Sequence, residues 1–136
     1  MNIEIERIKW KDEVGTLLAT TNLAVPVNAV QERCAQDLLW IYEVFFDKLS
    51  IGYFLTRDET LFDGTKQLVI THCVTKVKGK TPLASILGLI IPNLARERGY
   101  SSVRIHSERR GMDHIIEQQG GVFFESVFTI KVEPHV

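Results

Sequence analysis

The chain has 136 residues, of which 45% are hydrophobic and 24% are charged, and its formal net charge at pH 7 is −1. This size and composition are typical of one globular domain whose core needs neither a disulfide nor a metal. The near-neutral charge excludes bulk attraction to nucleic acid or to an anionic membrane, so neither is predicted as a partner. The chain contains two cysteines, Cys34 and Cys73, and its first ten residues lack the pattern of an export signal. These features favour a reducing, cytoplasmic location.

Alternating and helical patterns predict six elements in the first half of the chain. Apolar and polar residues alternate at the start, as in a half-buried strand, and capping residues then open two short helices. Two strand-like runs separated by Asp47-Lys48 follow, and they predict a hairpin. Lys66–Thr75 is apolar on both faces, as expected of a central strand. In order, the predictions are a strand over 3–7, a helix from Asp12, a helix from Pro26 to about Gln36, and strands over 38–46, 49–57 and 66–75.

Four more elements are predicted in the second half. Thr81 is a good helix cap, and Pro82 is tolerated at the first helical position, so a helix begins there and ends at Gly99. The elements that follow are a strand over 102–107, a helix over 110–119 and a strand over 122–132. The order is therefore β-α-α-β-β-β-α-β-α-β, in one domain that spans residues 1–136.

The segment after the fourth predicted strand resembles the cofactor loop of the GNAT (N-acetyltransferase) superfamily. In that family a V-x-P-like strand end is followed by R/Q-x-x-G-x-G/A and the cofactor helix. Here Val74 lies at the strand end, and the ungapped register places Gly79, Pro82 and Ala84 on the motif. A second register places Lys76, Gly79 and Thr81 on it. The resemblance implies an α/β (α+β) fold: a mixed, mostly antiparallel sheet of about six strands, with helices on both faces.

The same resemblance implies acetyl-CoA as cofactor and an amine as acceptor, which attacks the thioester directly. Backbone groups at Val74 would hold the pantetheine arm, and free N–H groups at a helix N-terminus suit a pyrophosphate. Pro82 departs from the family pattern because it removes one of those donors. The predicted cofactor-binding residues are Val74, Lys76, Lys78, Gly79, Lys80, Thr81 and Ala84.

Three side chains are candidates for the base that takes the amine proton: His72 on the fourth strand, and Glu59 and Asp63 near the preceding turn. Adjacent strand residues face opposite sides, so His72 and Cys73 are not expected to form a dyad, and Cys73 is expected to pack in the core. The spacing of the histidines matches no metal site. Where the family often has a tyrosine as general acid, this chain has Ile116 or Glu117, depending on the glycine used as reference.

An alternative is a protein that keeps this fold as a scaffold. The chain also resembles, loosely, GNAT-like internal virion proteins of short-tailed phages, which implies protein partners in an assembly, a location in the virion and no catalysis. The oligomeric state is left open. The matching residues are Val74, Thr75, Gly79, Lys80, Gly121, Val122 and Phe123.

Overall fold

The computed structural model describes residues 2–21, 25–76, 91 and 94–105. The predicted start of the helix at Thr81-Pro82 and the elements predicted over 110–119 and 122–132 lie outside these ranges. Residues 91 and 94–97 are helical, as predicted. The other elements are β1 (Ile3–Ile8), α1 (Asp12–Leu18), α2 (Val27–Ala35), β2 (Trp40–Phe46), β3 (Leu49–Thr60), β4 (Lys66–Thr75) and β5 (Ser102–Ile105).

The strands form one mixed sheet in the order β1-β2-β3-β4-β5. Each of the first three neighbouring pairs is antiparallel, whereas β4 and β5 are parallel and pair over Gln67–Ile70 and Ser102–Ile105. A parallel pair needs a crossover connection, and the chain between β4 and β5 contains the helical residues 91 and 94–97. The prediction of a mixed, mostly antiparallel sheet is confirmed. Five strands are described, against the predicted count of about six, and the last predicted strand lies outside the described residues.

A tight turn joins β2 to β3. Its two central residues, Asp47 and Lys48, have φ values of 47° and 69°. Positive φ at both central positions is the requirement of a type I′ turn, whose twist matches that of the flanking strands. The turn is also tied to the start of β1, because Asn2 N–H donates to the Asp47 carboxylate at 2.8 Å. The predicted hairpin is therefore confirmed.

Two β-bulges interrupt the ladders. In β3, Ile51 is the extra residue, because Val44 pairs with Gly52 while Phe45 pairs with Ser50. In β4, Thr71 is the extra residue, because Leu55 pairs with His72 while Thr56 pairs with Ile70. A bulge leaves one residue out of the ladder and redirects the side chains beyond it. The β3 bulge lies beside the end of β4 that leads into the predicted cofactor loop, whereas the β4 bulge lies near the middle of that strand.

Helices cover both faces of the sheet, as predicted. On one face, Val14 and Leu18 of α1 and Val30 of α2 pack against Ile41, Tyr53, Leu55 and Val74. On the other face, Ile91 and Ala95 pack against Tyr42, Phe54, Leu68 and Ile70. Both sets of residues are buried, and this burial is the main stabilising term of the sheet.

The prediction that Cys73 packs in the core is wrong, because Cys73 is exposed. The strand was expected to be buried on both faces along its whole length. The helical residues Ile91 and Ala95 instead share a core with Leu68 and Ile70, and Cys73 lies three residues beyond that cover. Cys34, which was expected to point inward from α2, does pack against the core.

Candidate functional site

The end of β4 is fixed by the bulge of β3. Val74 is 4% exposed and pairs with Tyr53 on β3. The carbonyl of the bulge residue Ile51 accepts two hydrogen bonds, from Lys76 N–H at 2.9 Å and from the Thr75 hydroxyl at 3.2 Å. The chain thus leaves the sheet at Lys76 from a defined position. This is the point from which the predicted pyrophosphate loop begins.

The bulge of β4 holds His72. The Thr71 hydroxyl donates to the Leu55 carbonyl at 3.3 Å, and the Thr71 oxygen lies 2.8 Å from Nδ1 of His72. When the Thr71 proton is directed at Leu55, that oxygen can accept Nδ1–H of a neutral imidazole, and in this tautomer the lone pair of Nε2 is left to take a proton. Burial and the positive charge of Arg33 lower the pKa of His72, which keeps the ring neutral at pH 7.

The other two candidate bases lie at the opposite end of the β3–β4 hairpin. Glu59 pairs with Arg104 at 2.5 Å and with Arg57 at 3.6 Å. Asp63 accepts hydrogen bonds from the backbone and hydroxyl of Thr65, which lower its pKa. Glu59 is opposite Gln67, five residues before His72, or about 17 Å at the usual strand rise. The structure therefore brings His72, and neither acid, to the half of β4 that carries Val74.

A buried carboxylate lies beside the same strand end. Glu43 of β2 is 3% exposed. It accepts hydrogen bonds from Lys11 at 2.9 Å and from the Ser50 hydroxyl at 2.5 Å, and Lys76 Nζ lies 3.6 Å away. These donors and the positive charges of Lys11 and Lys76 hold the pKa of Glu43 below its usual value, although burial alone would raise it. Glu43 is thus an ionised carboxylate within the protein.

Lys76 links this carboxylate to α1. Its Nζ lies 2.5 Å from the Glu13 carboxylate and 5.0 Å from the centre of the Tyr53 ring. The Tyr53 hydroxyl donates to the same Glu13 oxygen at 2.5 Å. The hydrogen bonds from Lys76 and Tyr53 lower the pKa of Glu13. We call Lys11, Glu13, Glu43, Tyr53 and Lys76 the charged cluster.

The charged cluster was not predicted from the sequence, apart from Lys76. One signal for it was present, because Glu43 is the only charged residue in the strand Trp40–Phe46. A lone acid within an apolar strand must find partners if it faces the core. Nothing in the sequence named those partners, since Lys11, Ser50 and Lys76 come from three other parts of the chain.

Of the predicted cofactor-binding residues, Val74 and Lys76 are described, and Lys78, Gly79, Lys80, Thr81 and Ala84 lie outside the described residues. Within those ranges, no group of three or more His, Cys, Asp or Glu residues is placed to hold a metal ion. No helix in the described part of the chain has both the length and the apolar character needed to cross a membrane.

No protein-family model and no curated protein matches the chain. Solved structures do match. A ribosomal-protein-alanine N-acetyltransferase from Brucella melitensis biovar Abortus 2308 is 17% identical, with a TM-score of 0.70 over 97% of this chain and 100% of that chain. An aminoglycoside acetyltransferase from an uncultured soil metagenomic sample, in complex with sisomicin, is 13% identical, with a TM-score of 0.64 over 98% and 97%.

A transcriptional regulator from Bacillus halodurans C-125 is also similar, at 16% identity and a TM-score of 0.64 over 97% of this chain and 99% of that chain. Likeness at these identities concerns the fold, and one fold carries several functions. The match spans nearly the whole chain, including the five-stranded sheet and the helices on its two faces. The chain therefore has the GNAT fold found in N-acetyltransferases.

Proposed function

We propose that this chain is an acyl-CoA-dependent N-acyltransferase that uses β4 as its cofactor strand. The observation that carries the proposal is the position of the β4 bulge. Thr71 lies five residues before Lys76, or about 17 Å along the strand, which is comparable to an extended pantetheine arm. A thioester near Thr71 and His72 would then place the pyrophosphate at the segment that follows Lys76.

The residues of the chain have separate roles in this proposal. Backbone groups at Val74 hold the pantetheine arm. Backbone N–H groups of residues 79–84 hold the pyrophosphate, together with the charged side chains of Lys78 and Lys80. Nε2 of the neutral His72 takes a proton from the acceptor ammonium, directly or through water, because only the free amine attacks a carbonyl carbon. The bound thioester supplies the activated acyl group. Holding the two reactants together on the sheet supplies much of the rate.

Isothermal titration calorimetry with coenzyme A and acetyl-CoA tests the cofactor part of the proposal. We expect binding by the wild-type chain, and its absence at millimolar cofactor would exclude the proposal. Release of the free thiol in the presence of a panel of amines then tests the reaction. The panel contains an aminoglycoside and a peptide with an N-terminal alanine, since two proteins of this fold are named for such acceptors.

Three single variants distinguish the candidate bases. We expect His72→Gln to lower kcat by about 100-fold, within the usual range for loss of a positioned general base. Glu59→Gln and Asp63→Asn change residues at the far end of the hairpin, so neither variant should lower kcat by more than about twofold. A large loss in one of these acid variants, with His72→Gln unaffected, would assign the base differently.

A scaffold without catalysis is the second candidate. Phe62, at the tip of the β3–β4 hairpin, is fully exposed, and an aromatic side chain in that position suits a contact with another protein. A transcriptional regulator also shares the fold. This candidate predicts that the chain does not bind coenzyme A. It also predicts a protein partner, in the cytoplasm or in a phage particle, that binds the wild type and does not bind Phe62→Ser. Genes for phage tail or portal proteins beside the gene of this chain would favour a location in the phage particle.

A further inference from the structure

We infer that Glu43 is a positioning residue that acts through Lys76 to set the path of the chain as it leaves β4. The inference rests on the proposed function, in which the segment after Lys76 is the pyrophosphate loop. Glu43 lies on β2, whereas the predicted loop follows β4, and the GNAT loop motif does not include Glu43. Its link to the loop is the charged cluster.

The first step of the inference is the burial of Glu43. A carboxylate at 3% exposure is stable in its charged form only if donors surround it. The donors are Lys11 just before α1 and Ser50 on β3, and Lys76 just after β4 adds an ion pair at 3.6 Å. Because Glu43 needs this charge compensation, it holds Lys76 close to the sheet.

The second step is the double attachment of Lys76. Its backbone N–H is bonded to Ile51, while its ammonium lies between Glu13 and Glu43. The Lys76 side chain is 25% exposed and that of Glu43 is 5% exposed, so solvent screens this pair less than it screens a surface ion pair. With backbone and side chain both fixed, the direction of the chain at residue 76 is restricted to a narrow range.

The third step concerns the charge available to a phosphate. The ammonium of Lys76 already faces two carboxylates, Glu13 and Glu43. A polyanionic ligand would have to compete with both for it. The charge of Lys76 is therefore already compensated within the protein, and the role that we assign to Lys76 is to fix the start of the loop.

Amide hydrogen exchange tests the inference on the free protein. The variants are Glu43→Gln, Lys76→Met and the double variant. We expect the amide of residue 76 to exchange about tenfold faster in each single variant, with the amide of Val69 at the centre of β4 unchanged. The double variant should exchange no faster than Lys76→Met, because Lys76→Met already removes the ion pair that Glu43→Gln removes.

Glu6→Gln is the matched control, since Glu6 is exposed and lies opposite Glu43 on β1. It should leave the exchange at residue 76 unchanged. If Glu43→Gln fails to fold, Glu43→Asp keeps the buried charge but shortens the side chain that reaches Lys76, and it gives the same readout for Glu43. Unchanged exchange at residue 76, or an equal increase at Val69, would show that Glu43 has no local positioning role.

Calorimetry with coenzyme A separates this inference from the proposed function. If the wild type does not bind coenzyme A, the proposed function fails, and the exchange at residue 76 still decides the role of Glu43. If the wild type binds, we expect Glu43→Gln to raise Kd about fivefold while Glu6→Gln leaves Kd unchanged. An equal Kd in Glu43→Gln and the wild type would overturn the link between Glu43 and the loop.

Discussion

The imidazole of His72 contacts the hydroxyl of its neighbour in sequence, Thr71, with Nδ1 2.8 Å from Oγ1. Adjacent residues of a regular strand point to opposite faces and cannot make such a contact easily. The contact forms here because Thr71 is the extra residue of the β4 bulge. The bulge thus fixes the ring of a half-buried, neutral histidine on the strand that we propose holds the cofactor.

The pH dependence of stability provides a test of the His72 environment. The folded-state pKa of His72 is lower than its unfolded-state pKa. As the pH falls through the unfolded-state pKa, the unfolded chain therefore binds more protons than the folded chain does. The contribution of His72 to stability is therefore complete above that pKa and decreases below it. Between about pH 5 and pH 8, the free energy of unfolding should change less with pH in His72→Gln than in the wild type. Urea unfolding of both proteins at pH 5 and at pH 8 measures this change in the free energy of unfolding. An equal change in His72→Gln and in the wild type would contradict the prediction.

The two cysteines should differ in reactivity. Cys73 is exposed, whereas burial raises the pKa of the Cys34 thiol. Because the thiolate is the reactive form, a thiol reagent should label Cys73 of the folded protein at least about tenfold faster than Cys34. Cys34→Ser and Cys73→Ser identify the two signals by mass spectrometry. Under the proposed function, coenzyme A should also slow the labelling of Cys73. If Cys34 is labelled faster than Cys73, the result would contradict the exposure of Cys73 on β4.

Gly15 in α1 has little room for a side chain. A Cβ at this position would lie 3.0 Å from Cζ2 of Trp10 and 3.4 Å from Cγ1 of Val27. Alanine in place of glycine usually stabilises a helix by about 0.5–1 kcal/mol, but overpacking costs about 1–3 kcal/mol. We therefore expect Gly15→Ala to lower the free energy of unfolding and to shift Trp10 fluorescence. In a Trp10→Leu background the same change should be neutral or stabilising, and a stabilising Gly15→Ala in the wild type would show that Trp10 moves freely.

Pro82 separates the two candidate functions. Pro82→Gly restores a backbone donor to the predicted pyrophosphate loop, and one hydrogen bond to a charged group contributes about 1–2 kcal/mol, or roughly tenfold in Kd for coenzyme A. The same change should lower stability by about 1 kcal/mol, because glycine leaves the unfolded chain less restricted than proline does. Calorimetry and thermal unfolding of the one variant measure both effects. A loss of stability without a gain in affinity would favour the scaffold.

Much of the fold could be predicted from local patterns. The alternation of Ile3 and Ile5 with Glu4 and Glu6 gave the first strand, and the Asp47-Lys48 turn gave the hairpin. These patterns are reliable because the periodicity of side chains follows directly from the backbone geometry. The two bulges were not predicted, because one extra residue in a ladder leaves no mark in the alternation of such a short segment.

The sequence by itself determined the order of the strands and helices as far as β5 and the position of the strand Lys66–Thr75, because these depend on local periodicity and on turn residues. Tertiary structure decided which of the three candidate bases lies on the Val74 half of that strand, and that Cys73 is exposed. It also joined Glu13, Glu43 and Lys76 into one charged cluster. Contacts of this kind depend on which strands pair and in which register, and only the folded sheet brings residues that are 30 or more positions apart within ion-pairing distance.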